Sequence, residues 1–297
     1  MNVLRHLIYE MLKHSGSLLP DRTYIELLYR QKMGHPLNLT APRRFNEKIQ
    51  WLKLYDRRPV YHVMVDKAAV KDYAAAIIGN AHIIRTYGVW DRPEDIEWDS
   101  LPDSFILKLT AGGGGRSVCI CHDKKDFDRE KAIARLRADY GRNLYNIFRE
   151  WAYKDVPQRV IAEELLESGP DGGAPDDYKF WCFKGKVRFI LYCSGRWHAT
   201  GAHYNYFDRR WRPLPFWRKV RGSTEKIRKP GNLGEMIKIA EKLAKGHPFM
   251  RVDLYNVEGR IMFGELTLYS GSGLTAFHPD EWDIRAGDML TLPKITT

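Results

Sequence analysis

Three pairs of β-rich segments, each joined by a connection too short for a crossover helix, most constrain the fold of this chain. Strands joined by so few residues pair antiparallel, because a parallel pair needs a crossover of a dozen residues or more. The helical patterns lie between these pairs instead of alternating with single strands. The sequence therefore predicts an α+β fold with antiparallel pairing and excludes a regular βαβ alternation. The strand pairs are 104–109 with 117–121, 178–183 with 187–192, and 250–255 with 260–266.

Helical periodicity predicts helices at residues 45–52, 66–76, 128–139 and 234–245. The segment 91–103 carries six acidic residues and one Arg, and it is predicted to be a linker. Strands are expected only after this linker.

The apolar residues and the cysteines indicate the cellular compartment of the protein. No apolar run approaches the ~20 residues that a membrane-spanning helix needs. Near the N-terminus, Arg5, His6 and Glu10 interrupt the apolar residues, which argues against a signal peptide. Residues 3–12 instead form one apolar helical face, expected to dock on the protein or to touch a membrane surface. The cysteines are too few for a disulfide scaffold, include no CxxC pair and are expected to be free thiols in a reducing cytoplasm: Cys119, Cys121, Cys182 and Cys193.

Positive charge is concentrated in one stretch, residues 196–229, here called the basic segment. It holds ten Lys or Arg residues against two acids, so it contributes +8 of the net charge of +11. Seven aromatic residues are interleaved with these cations. This mixture suits an anionic ligand with planar or ring faces, such as an acidic sugar or a base. A solvated, Arg-rich loop is the alternative.

A run of glycines at residues 112–115 lies between two predicted strands. Consecutive glycines let backbone N–H groups approach an anion closely. The run is not a Walker A motif, because Gly115 is followed by Arg116 and Ser117. Lys108 stands in an otherwise apolar strand just before the run, and a bound phosphate would explain a cation there. A flexible hairpin tip is the alternative.

The last strand pair places Arg251, Asp253, Glu265 and Thr267 at alternate positions, so they share one face if the connecting loop has an odd length. Residues 257–259 are predicted to form such a three-residue loop, with Arg251 opposite Glu265. Two carboxylates and a hydroxyl on one rigid face suit Mg²⁺, whose ligands are hard oxygens. An Arg251–Glu265 ion pair beside an exposed Asp253 is the alternative.

Four segments match the motifs of a known family, in the same order. The chain resembles the TupA-like family of the ATP-grasp superfamily, a family linked to the synthesis of surface polysaccharides and peptide-decorated polymers. The resemblance covers roughly residues 38–280. The matching segments are FNEKIQWLKLYD at 45–56, DKAAVKDY at 66–73, LPDSFILK at 101–108 and FGELTLY at 263–269.

The resemblance implies an ATP-grasp fold, in which two α+β subdomains enclose ATP behind a short helical N-terminal region. The implied boundaries are 1–65 for the helical region, 66–166 for the central subdomain and 167–297 for the C-terminal subdomain. The implied reaction joins a carboxylate to an amine through an acyl-phosphate and releases ADP and phosphate. ATP and Mg²⁺ are the implied cofactors, and the product would be an amide of an amino acid with a uronic acid, amino sugar or peptide.

The resemblance also implies roles for individual residues. Arg251 and Lys108 are expected to act on the transferring phosphoryl group. Asp253, Glu265 and Thr267 are expected to hold Mg²⁺, although Thr267 stands where the superfamily usually has Asn. The residues expected to bind the nucleotide are Lys67, Lys108, Gly112, Gly113, Gly114, Gly115, Glu163, Glu164, Leu166, Asp177 and Lys179.

The acceptor is expected to bind along the basic segment, because Arg side chains bind carboxylates and phosphates in bidentate fashion. The candidate substrate residues are Arg209, Arg210, Arg212, His203 and Ser272. The expected partner is an acidic small molecule or glycan. No nucleic acid is expected, because no recognised nucleic-acid motif occurs.

Two other functions are compatible with the sequence. One is a non-catalytic protein that binds an acidic polymer through the basic segment. The other is a sugar-nucleotide glycosyltransferase, for which Asp126 and Asp128 supply an Asp-x-Asp pair, although their place at a helix start favours a capping role. Thr267 in place of Asn also allows an inactive ATP-grasp protein.

Overall fold

The computed structural model describes the ranges 18–113, 115–167, 175–195 and 202–294. Three features of the sequence analysis lie outside the described residues. They are the apolar helical face at 3–12, Gly114 of the glycine run, and the first six residues of the basic segment.

Four strands form the first sheet: β1 (Thr86–Trp90), β2 (Phe105–Leu109), β3 (Cys119–Cys121) and β4 (Val160–Glu163). Their order across the sheet is β1–β4–β2–β3, and each neighbouring pair is antiparallel.

Five strands form the second sheet: β5 (Asp177–Phe183), β6 (Lys186–Ser194), β7 (His203–Asp208), β8 (Phe249–Val257) and β9 (Arg260–Thr267). Their order is β7–β6–β5–β8–β9, again antiparallel throughout. The predicted α+β fold with antiparallel pairing is therefore confirmed.

The α-helices of the described ranges are α1 (Asp21–Met33), α2 (Phe45–Tyr55), α3 (Val60–Val65), α4 (Ala69–Ile78), α5 (Arg129–Asp139), α6 (Leu144–Phe148), α7 (Leu233–Leu243) and α8 (Glu281–Met289). None of these helices is long and apolar enough to cross a membrane. Helix α4 begins at Ala69, three residues after the predicted start at Asp66. Asp66 Oδ1 accepts hydrogen bonds of 2.8 Å from the backbone N–H groups of Ala68 and Ala69, at the start of this helix.

Helices α2 and α7 cover opposite faces of the second sheet. Phe45, at the start of α2, is completely buried, and its ring centroid lies 5.2 Å from that of Trp181 and 5.0 Å from that of Phe249. Burying such a ring contributes roughly 1.5–3 kcal/mol to folding. On the other face, Cys182 Sγ lies 3.8 Å from the carbonyl oxygen of Ala240 in α7. One hydrophobic core therefore runs from α2 through the sheet to α7.

Helix α5 covers the first sheet. Its buried residues Ala132 and Leu136 belong to the same cluster as Leu107 of β2. Asp128 caps this helix, because its Oδ1 accepts a hydrogen bond of 2.9 Å from the backbone N–H of Lys131. The capping role predicted for the Asp-x-Asp pair is thus confirmed for its second member. All four cysteines are buried free thiols, as predicted.

Three details of the strand predictions are wrong. Segment 91–103 is not a linker between separate units, because it joins β1 to β2 within one sheet. Strand β1 was not predicted, because none of its residues is fully buried and it lacks an alternating apolar pattern. The predicted strands 178–183 and 187–192 leave three residues for the turn after β5. The turn has only two residues, Lys184 and Gly185, because Phe183 pairs directly with Lys186. Both turn residues have positive φ, as a type I′ turn requires.

The three-residue loop predicted at 257–259 is also wrong. Val257 pairs directly with Arg260, which leaves a two-residue turn of Glu258 and Gly259. These two residues have φ of 51° and 91°, again the signature of a type I′ turn. A two-residue turn followed by regular pairing would place the two predicted carboxylates on opposite faces of the hairpin.

A β-bulge at Gly264 restores the shared face. Asp253 pairs directly with Glu265, but the next pair along the hairpin is Leu254 with Phe263, so Gly264 has no partner of its own. A Cβ at Gly264 would lie 3.1 Å from the carbonyl oxygen of Asp253. The close approach of the two strands at the bulge therefore favours glycine.

Candidate active site

Four residues of the β8–β9 hairpin form a connected polar group on one face of the sheet. Arg251 Nε donates to Asp253 Oδ1 at 2.6 Å, and Arg251 Nη2 donates to Asp253 Oδ2 at 2.7 Å and to Glu265 Oε1 at 2.6 Å. Thr267 Oγ1 donates to Glu265 Oε1 at 3.2 Å. Arg251 pairs with Thr267 along the strands, not with Glu265 as predicted, because of the bulge. Its long side chain still reaches Glu265 diagonally.

Lys179 adds a second cation to this face. It pairs with Asp253 across the β5–β8 ladder, so the ion pair between its Nζ and Asp253 Oδ2 follows from the register. Its Nζ also lies 3.3 Å from Asp177 Oδ2. Asp253 is 2% exposed and Lys179 is 7% exposed. Charges buried to this extent persist only when they are paired.

The cations set the protonation of the two carboxylates. Burial raises the pKa of Asp253, and Glu265 adds to this increase, whereas Arg251 and Lys179 oppose it. Burial also disfavours the ionised form of Glu265, but Arg251, Lys179 and Lys67 together hold the pKa of Glu265 well below its usual range. Glu265 is therefore a carboxylate at neutral pH.

The oxygen donors of this group fit a magnesium ion that also binds substrate phosphates. Mg²⁺ in such sites is held by one or two carboxylates, with phosphates and water in its other positions. Asp253 and Glu265 supply two carboxylates on a rigid hairpin. Within the described ranges, no group of three or more His, Cys, Asp or Glu side chains could hold a metal ion. A metal bound here would depend on the oxygens of its substrate.

Lys67 connects the glycine loop to this hairpin. Its Nζ donates to the carbonyl oxygen of Gly112 at 2.8 Å, and its backbone N–H donates to the carbonyl oxygen of Thr110 at 2.9 Å. Burial lowers the pKa of Lys67, and Glu265 opposes this decrease, while nearby Lys108 adds to it. The glycine loop of the first sheet and the carboxylates of the second sheet therefore face a common space.

The glycine loop joins β2 to β3, as predicted. Gly112 and Gly115 have φ of 151° and 72°, and the exposed Gly113 lies between them in the chain. A Cβ at Gly115 would meet no atom within 4 Å. The positive φ at Gly115, rather than crowding, therefore favours glycine at this position. The next residue, Arg116, is exposed.

Lys108 and Lys71 share the carboxylate of Glu163 at the end of β4. Lys71 Nζ lies 2.6 Å from Oε1, and Lys108 Nζ forms an ion pair with Oε2. Burial alone would raise the pKa of Glu163, but the two ammonium groups bring it below its ordinary value. The cation in the apolar run of β2 is thus explained within the protein by Glu163, a partner that the sequence did not indicate.

The chain after β4 passes from the first sheet to the second. Glu164 donates its backbone N–H to the carbonyl oxygen of Arg85 at 2.9 Å, beside β1. Leu166 is buried in a small apolar cluster with Ile84 and with Met262 of β9. The predicted nucleotide residues of this segment therefore lie between the two sheets.

Two of the predicted substrate arginines form ion pairs away from the carboxylates. Arg209 pairs with Glu241 of α7, and Arg212 Nε lies 2.6 Å from Asp208 Oδ2. The backbone N–H of Arg210 donates to the same Asp208 side chain at 2.8 Å. The carboxylates lie on the α2 face of the sheet, because Arg251 pairs with the α2-facing Trp181, whereas α7 covers the opposite face. His203 begins β7 and pairs with Ser194.

A cavity of about 1230 Å³ lies between β7 and the part of the basic segment that follows it. Aromatic side chains, including those of Trp211 and Trp217, form much of its wall. The wall also carries one acid, Glu225, and four cations that form no ion pair with any residue of the described ranges: Arg221, Lys226, Arg228 and Lys229. Four cations of the basic segment that lack ion-pair partners among the described residues thus line this cavity.

The sequence analysis missed two buried residues beneath Ser272. Ser272 lies in a 3₁₀ turn, Ser270–Gly273, that follows β9. Its Oγ donates to Glu150 Oε1 at 2.5 Å, and its carbonyl oxygen accepts a hydrogen bond of 2.7 Å from Lys53 Nζ. Glu150 is 5% exposed and Lys53 is 1% exposed. Glu150 stands in no recognisable motif, and Lys53, although it lies in the matching segment 45–56, has the pattern of an ordinary polar position in a helix.

Arg218 is a further buried cation that the sequence did not single out within the basic segment. Its Nη2 donates to the carbonyl oxygen of Thr275 at 2.8 Å and to Asn46 Oδ1 at 3.2 Å. Its guanidinium lies over the rings of Phe277 and Trp181, 4.4 and 5.0 Å from their centroids. Arg218 therefore ties the basic segment to α2 and to the loop after β9.

Sequence comparison identifies one family. The family model of the TupA-like ATP-grasp proteins matches residues 47–291. No curated protein matches the chain.

Among solved structures, the chain is similar to several amino-acid ligases. The L-amino acid ligase from Bacillus licheniformis has a TM-score of 0.47 and 12% identity, over 86% of this chain and 57% of its own. The D-alanine–D-alanine ligase from Helicobacter pylori has a TM-score of 0.46 and 14% identity, over 84% and 69%. The D-alanine–D-alanine ligase from Bacillus anthracis has a TM-score of 0.42 and 17% identity, over 69% and 57%. The chain spans less than two thirds of both Bacillus enzymes.

Proposed function

The chain belongs to the TupA-like ATP-grasp family, and we propose that it is an ADP-forming ligase that joins a carboxylate to an amine through an acyl-phosphate. The family match confirms the resemblance that the sequence motifs indicated. The proposed donor is ATP with Mg²⁺, and the proposed product is an amide of an amino acid with a uronic acid, amino sugar or peptide.

The proposal rests on the position of Lys67 between Gly112 and Glu265. Lys67 Nζ holds the glycine loop at the carbonyl oxygen of Gly112, and the same ammonium group lies within electrostatic reach of Glu265. A glycine-rich loop, a half-buried cation and a carboxylate that stays ionised are the parts that a magnesium–triphosphate complex needs. They come from two different sheets, which is the arrangement expected for ATP bound between two subdomains.

The proposed chemistry requires little more than positioning and charge neutralisation. A carboxylate is a poor electrophile, and its phosphorylation by ATP supplies a phosphate leaving group that an amine can displace. Phosphoryl transfer is catalysed chiefly by cations that hold the phosphate oxygens in place. Lys67, Lys108 and Arg251 are the side chains assigned to this task. For Lys108, the phosphate would replace or share the contact with Glu163.

Asp253 and Glu265 are the residues assigned to Mg²⁺, with Thr267 beside them. The ion would neutralise charge on the ATP phosphates. Arg251 already contacts both carboxylates, so it would lie next to the bound ion and next to the phosphoryl group. Burial raises the pKa of Asp253, and the ion pair with Lys179 opposes this increase and so favours the charged form that a metal would need.

We assign the acceptor to the cavity beside β7. Its four cations, which form no ion pair with any described residue, suit carboxylates or phosphates, and its aromatic wall suits the apolar faces of sugar rings. Arg209 and Arg212 are already engaged by Glu241 and Asp208. An acidic glycan or a carrier-linked sugar of polysaccharide synthesis is the proposed acceptor class. Because the proposed reaction consumes ATP, we propose that the protein acts in the cytoplasm, where contact with the membrane surface would bring it to carrier-linked substrates.

Hydroxylamine trapping tests the proposed reaction without knowledge of the amine. The purified chain is incubated with MgATP, hydroxylamine and single carboxylates from a panel of amino acids, uronic acids and short peptides. An acyl-phosphate reacts with hydroxylamine to give a hydroxamate, so ADP and hydroxamate should form in equal amounts with at least one carboxylate. The variant Glu265→Gln is the negative control. ADP without hydroxamate, or neither product with any carboxylate, would contradict the ligase assignment.

A further inference from the structure

Ser272 is held in an unusual conformation above a buried carboxylate. Its φ and ψ are 56° and 16°, in the left-handed region that is costly for a residue other than glycine. Its Oγ donates to Glu150 Oε1 at 2.5 Å. Ser272 is partly exposed, whereas Glu150 is 5% exposed. The serine hydroxyl is therefore placed between solvent and a carboxylate that is itself nearly inaccessible.

Helix α2 fixes the turn that carries this serine. Gln50 Nε2 donates to the carbonyl oxygens of Ser272 and Gly273 at 2.9 and 2.8 Å. Lys53 Nζ donates to the carbonyl oxygens of Ser272 and Phe148 at 2.7 and 2.9 Å, and to Gln50 Oε1 at 2.9 Å. The two side chains account for the carbonyl groups of the turn but not for the hydroxyl. The direction of the hydroxyl towards Glu150 is a separate feature of the site.

Glu150 is surrounded by groups that link it to the proposed phosphoryl site. Burial raises the pKa of its carboxyl, while Lys53, Ser272 and Arg251 oppose this increase. Tyr153 lies within electrostatic reach of Glu150, Glu265 and Arg251. Tyr269 lies within electrostatic reach of the same carboxylate. A carboxylate in this position would have more affinity for a proton than an exposed one, and it lies within electrostatic reach of Arg251, which contacts the proposed metal ligands.

We propose that Ser272 and Glu150 form the proton relay that activates the amine in the amide-forming step. This inference rests on the proposed ligase function. The relay needs no additional cofactor, because both residues belong to the chain and their hydrogen bond is already made. General-base catalysis of this kind typically contributes about 10²–10⁴-fold to a rate.

In the proposed step, the amine arrives as an ammonium ion. One N–H proton passes to Ser272 Oγ while the serine proton passes to Glu150, which becomes a neutral acid. The free amine attacks the acyl carbon, the new C–N bond forms, and the C–O bond to phosphate breaks with its electron pair on the phosphate. The second amine proton leaves with the phosphate as HPO₄²⁻. Glu150 then returns its proton to solvent.

Two nucleophiles separate this role from a purely structural one. Hydroxylamine is largely unprotonated near neutral pH and needs no base, whereas methylamine arrives as an ammonium ion. The variants Ser272→Ala and Glu150→Gln should lose at least about 100-fold more rate in forming the N-methylamide than in forming the hydroxamate. The methylamide rate should recover as the pH approaches the pKa of methylamine. Ser270→Ala, a serine truncation in the same turn, is the matched control.

The results that would contradict the relay differ from the result that would contradict the ligase function. An equal loss with both nucleophiles would mean that Ser272 and Glu150 only hold the turn, and no loss with either would remove them from the reaction. Failure of the wild-type protein to form hydroxamate with any carboxylate would contradict the ligase function itself.

A measurement without substrate tests the relay independently of turnover. The side-chain carboxyl of Glu150 is labelled with ¹³C, assigned with Glu150→Gln and titrated by NMR. It should titrate above the usual range for glutamate, and its resonance should shift in Ser272→Ala but not in Ser270→Ala. A carboxyl that titrates below the usual range, or that is unaffected by Ser272→Ala, would overturn the relay.

Discussion

Asp253 is almost completely buried, whereas Glu265, its direct partner across the hairpin, exposes about a third of its side chain. The two carboxylates are therefore unequal, although both contact Arg251. Removing the charge of Asp253 would leave Lys179 and Arg251 buried without their shared partner. Removing the charge of Glu265 affects a group that water already reaches.

Removing the charge of Asp253 or of Glu265 should therefore affect ADP formation similarly but the free energy of unfolding differently. Asp253→Asn and Glu265→Gln should each lower ADP formation by at least about 100-fold, because each removes a negative charge assigned to Mg²⁺. Asp253→Asn should also lower the free energy of unfolding by about 3 kcal/mol, the cost of breaking a buried ion pair. Glu265→Gln should cost less than about 1 kcal/mol. Coupled assays measure ADP formation, and urea unfolding measures the free energy of unfolding. Full ADP formation by both variants would contradict the assignment of Asp253 and Glu265 to Mg²⁺.

Lys108 and Lys71 provide a matched pair for the nucleotide site, because both contact Glu163. Lys108→Met should weaken MgATP binding by about ten-fold or more, as expected for loss of a charged contact to phosphate. Lys71 also donates to the carbonyl oxygen of Ile84 and to Thr86 Oγ1, at 2.6 and 2.7 Å, so Lys71→Met should mainly lower stability. Calorimetry with a non-hydrolysable ATP analogue measures the affinities. Equal affinities of the two variants would remove Lys108 from the phosphate site.

Closure of the glycine loop over ATP should protect the loop from proteolysis. Arg116 is exposed and follows the glycine run, so it is a natural site for trypsin. With Mg²⁺ and a non-hydrolysable ATP analogue, cleavage after Arg116 should slow about ten-fold, because the closed loop opens less often. Mass spectrometry of timed digests identifies this cut. The same cleavage rate with and without nucleotide would argue that residues 112–115 are only a flexible hairpin tip.

The acceptor assignment can be tested with two triple variants from the basic segment. Replacing Arg221, Lys226 and Arg228 with alanine removes cations of the cavity wall that lack ion-pair partners among the described residues. This change should raise the KM for an acidic acceptor far more than the KM for ATP, and the acceptor KM of the wild type should rise with salt.

The comparison variant carries alanine at Arg209, Arg210 and Arg212. The sequence analysis predicted these three for the acceptor, but Arg209 and Arg212 have acidic partners in the structure. A larger effect on acceptor KM from this variant than from the cavity variant would return the acceptor to the turn after β7. If each variant changed the KM for the acceptor and the KM for ATP equally, the whole basic segment would be assigned as a solvated surface.

His247 should make stability depend on pH. It is 7% exposed beside Tyr61, and burial lowers its pKa from 6.5 to about 4, with a further decrease from Arg58. The unfolded chain therefore binds a proton as the pH falls below 6.5, while the folded chain does so only near pH 4. Between roughly pH 7.5 and pH 5 this group should lower the free energy of unfolding by about 2 kcal/mol.

His247→Gln removes this titration but keeps a polar side chain of similar size. Urea unfolding at both pH values should show a smaller acid-induced loss for the variant than for the wild type. The same pH dependence in both proteins would show that His247 is not responsible for it.

The antiparallel fold could be predicted because short connections leave only one way to pair two strands. The alternation of residues from 251 to 267 likewise predicted that the carboxylates share a face. The prediction that one extra residue brings the two carboxylates to the same face is right. The predicted position of that residue in the turn is wrong, because the extra residue is Gly264. Local sequence does not show whether a turn or a bulge supplies the extra residue, because either one restores the same face.

The partners of the buried charges could not be predicted. Lys108 contacts Glu163 only because β4 inserts beside β2 in the sheet, and no local pattern encodes that order. Glu150 and Lys53 meet at Ser272 because α2 packs against the loop after β9. Such contacts arise from the packing of distant segments, and each residue taken alone has the pattern of an ordinary surface position.

The bulge at Gly264 also decides which face of the sheet carries Glu265. If Gly264 entered regular pairing, the register set by the turn at Glu258 and Gly259 would continue along the edge strand β9 and place Gly264 opposite Asp253. Glu265 would then face the other side of the sheet, away from Asp253. A relative that lacks residue 264 would need no bulge, because regular pairing alone would keep its acidic residue opposite the aspartate. A relative that keeps the residue but pairs regularly would be expected to retain its fold and its nucleotide cations and to lose the carboxylate pair.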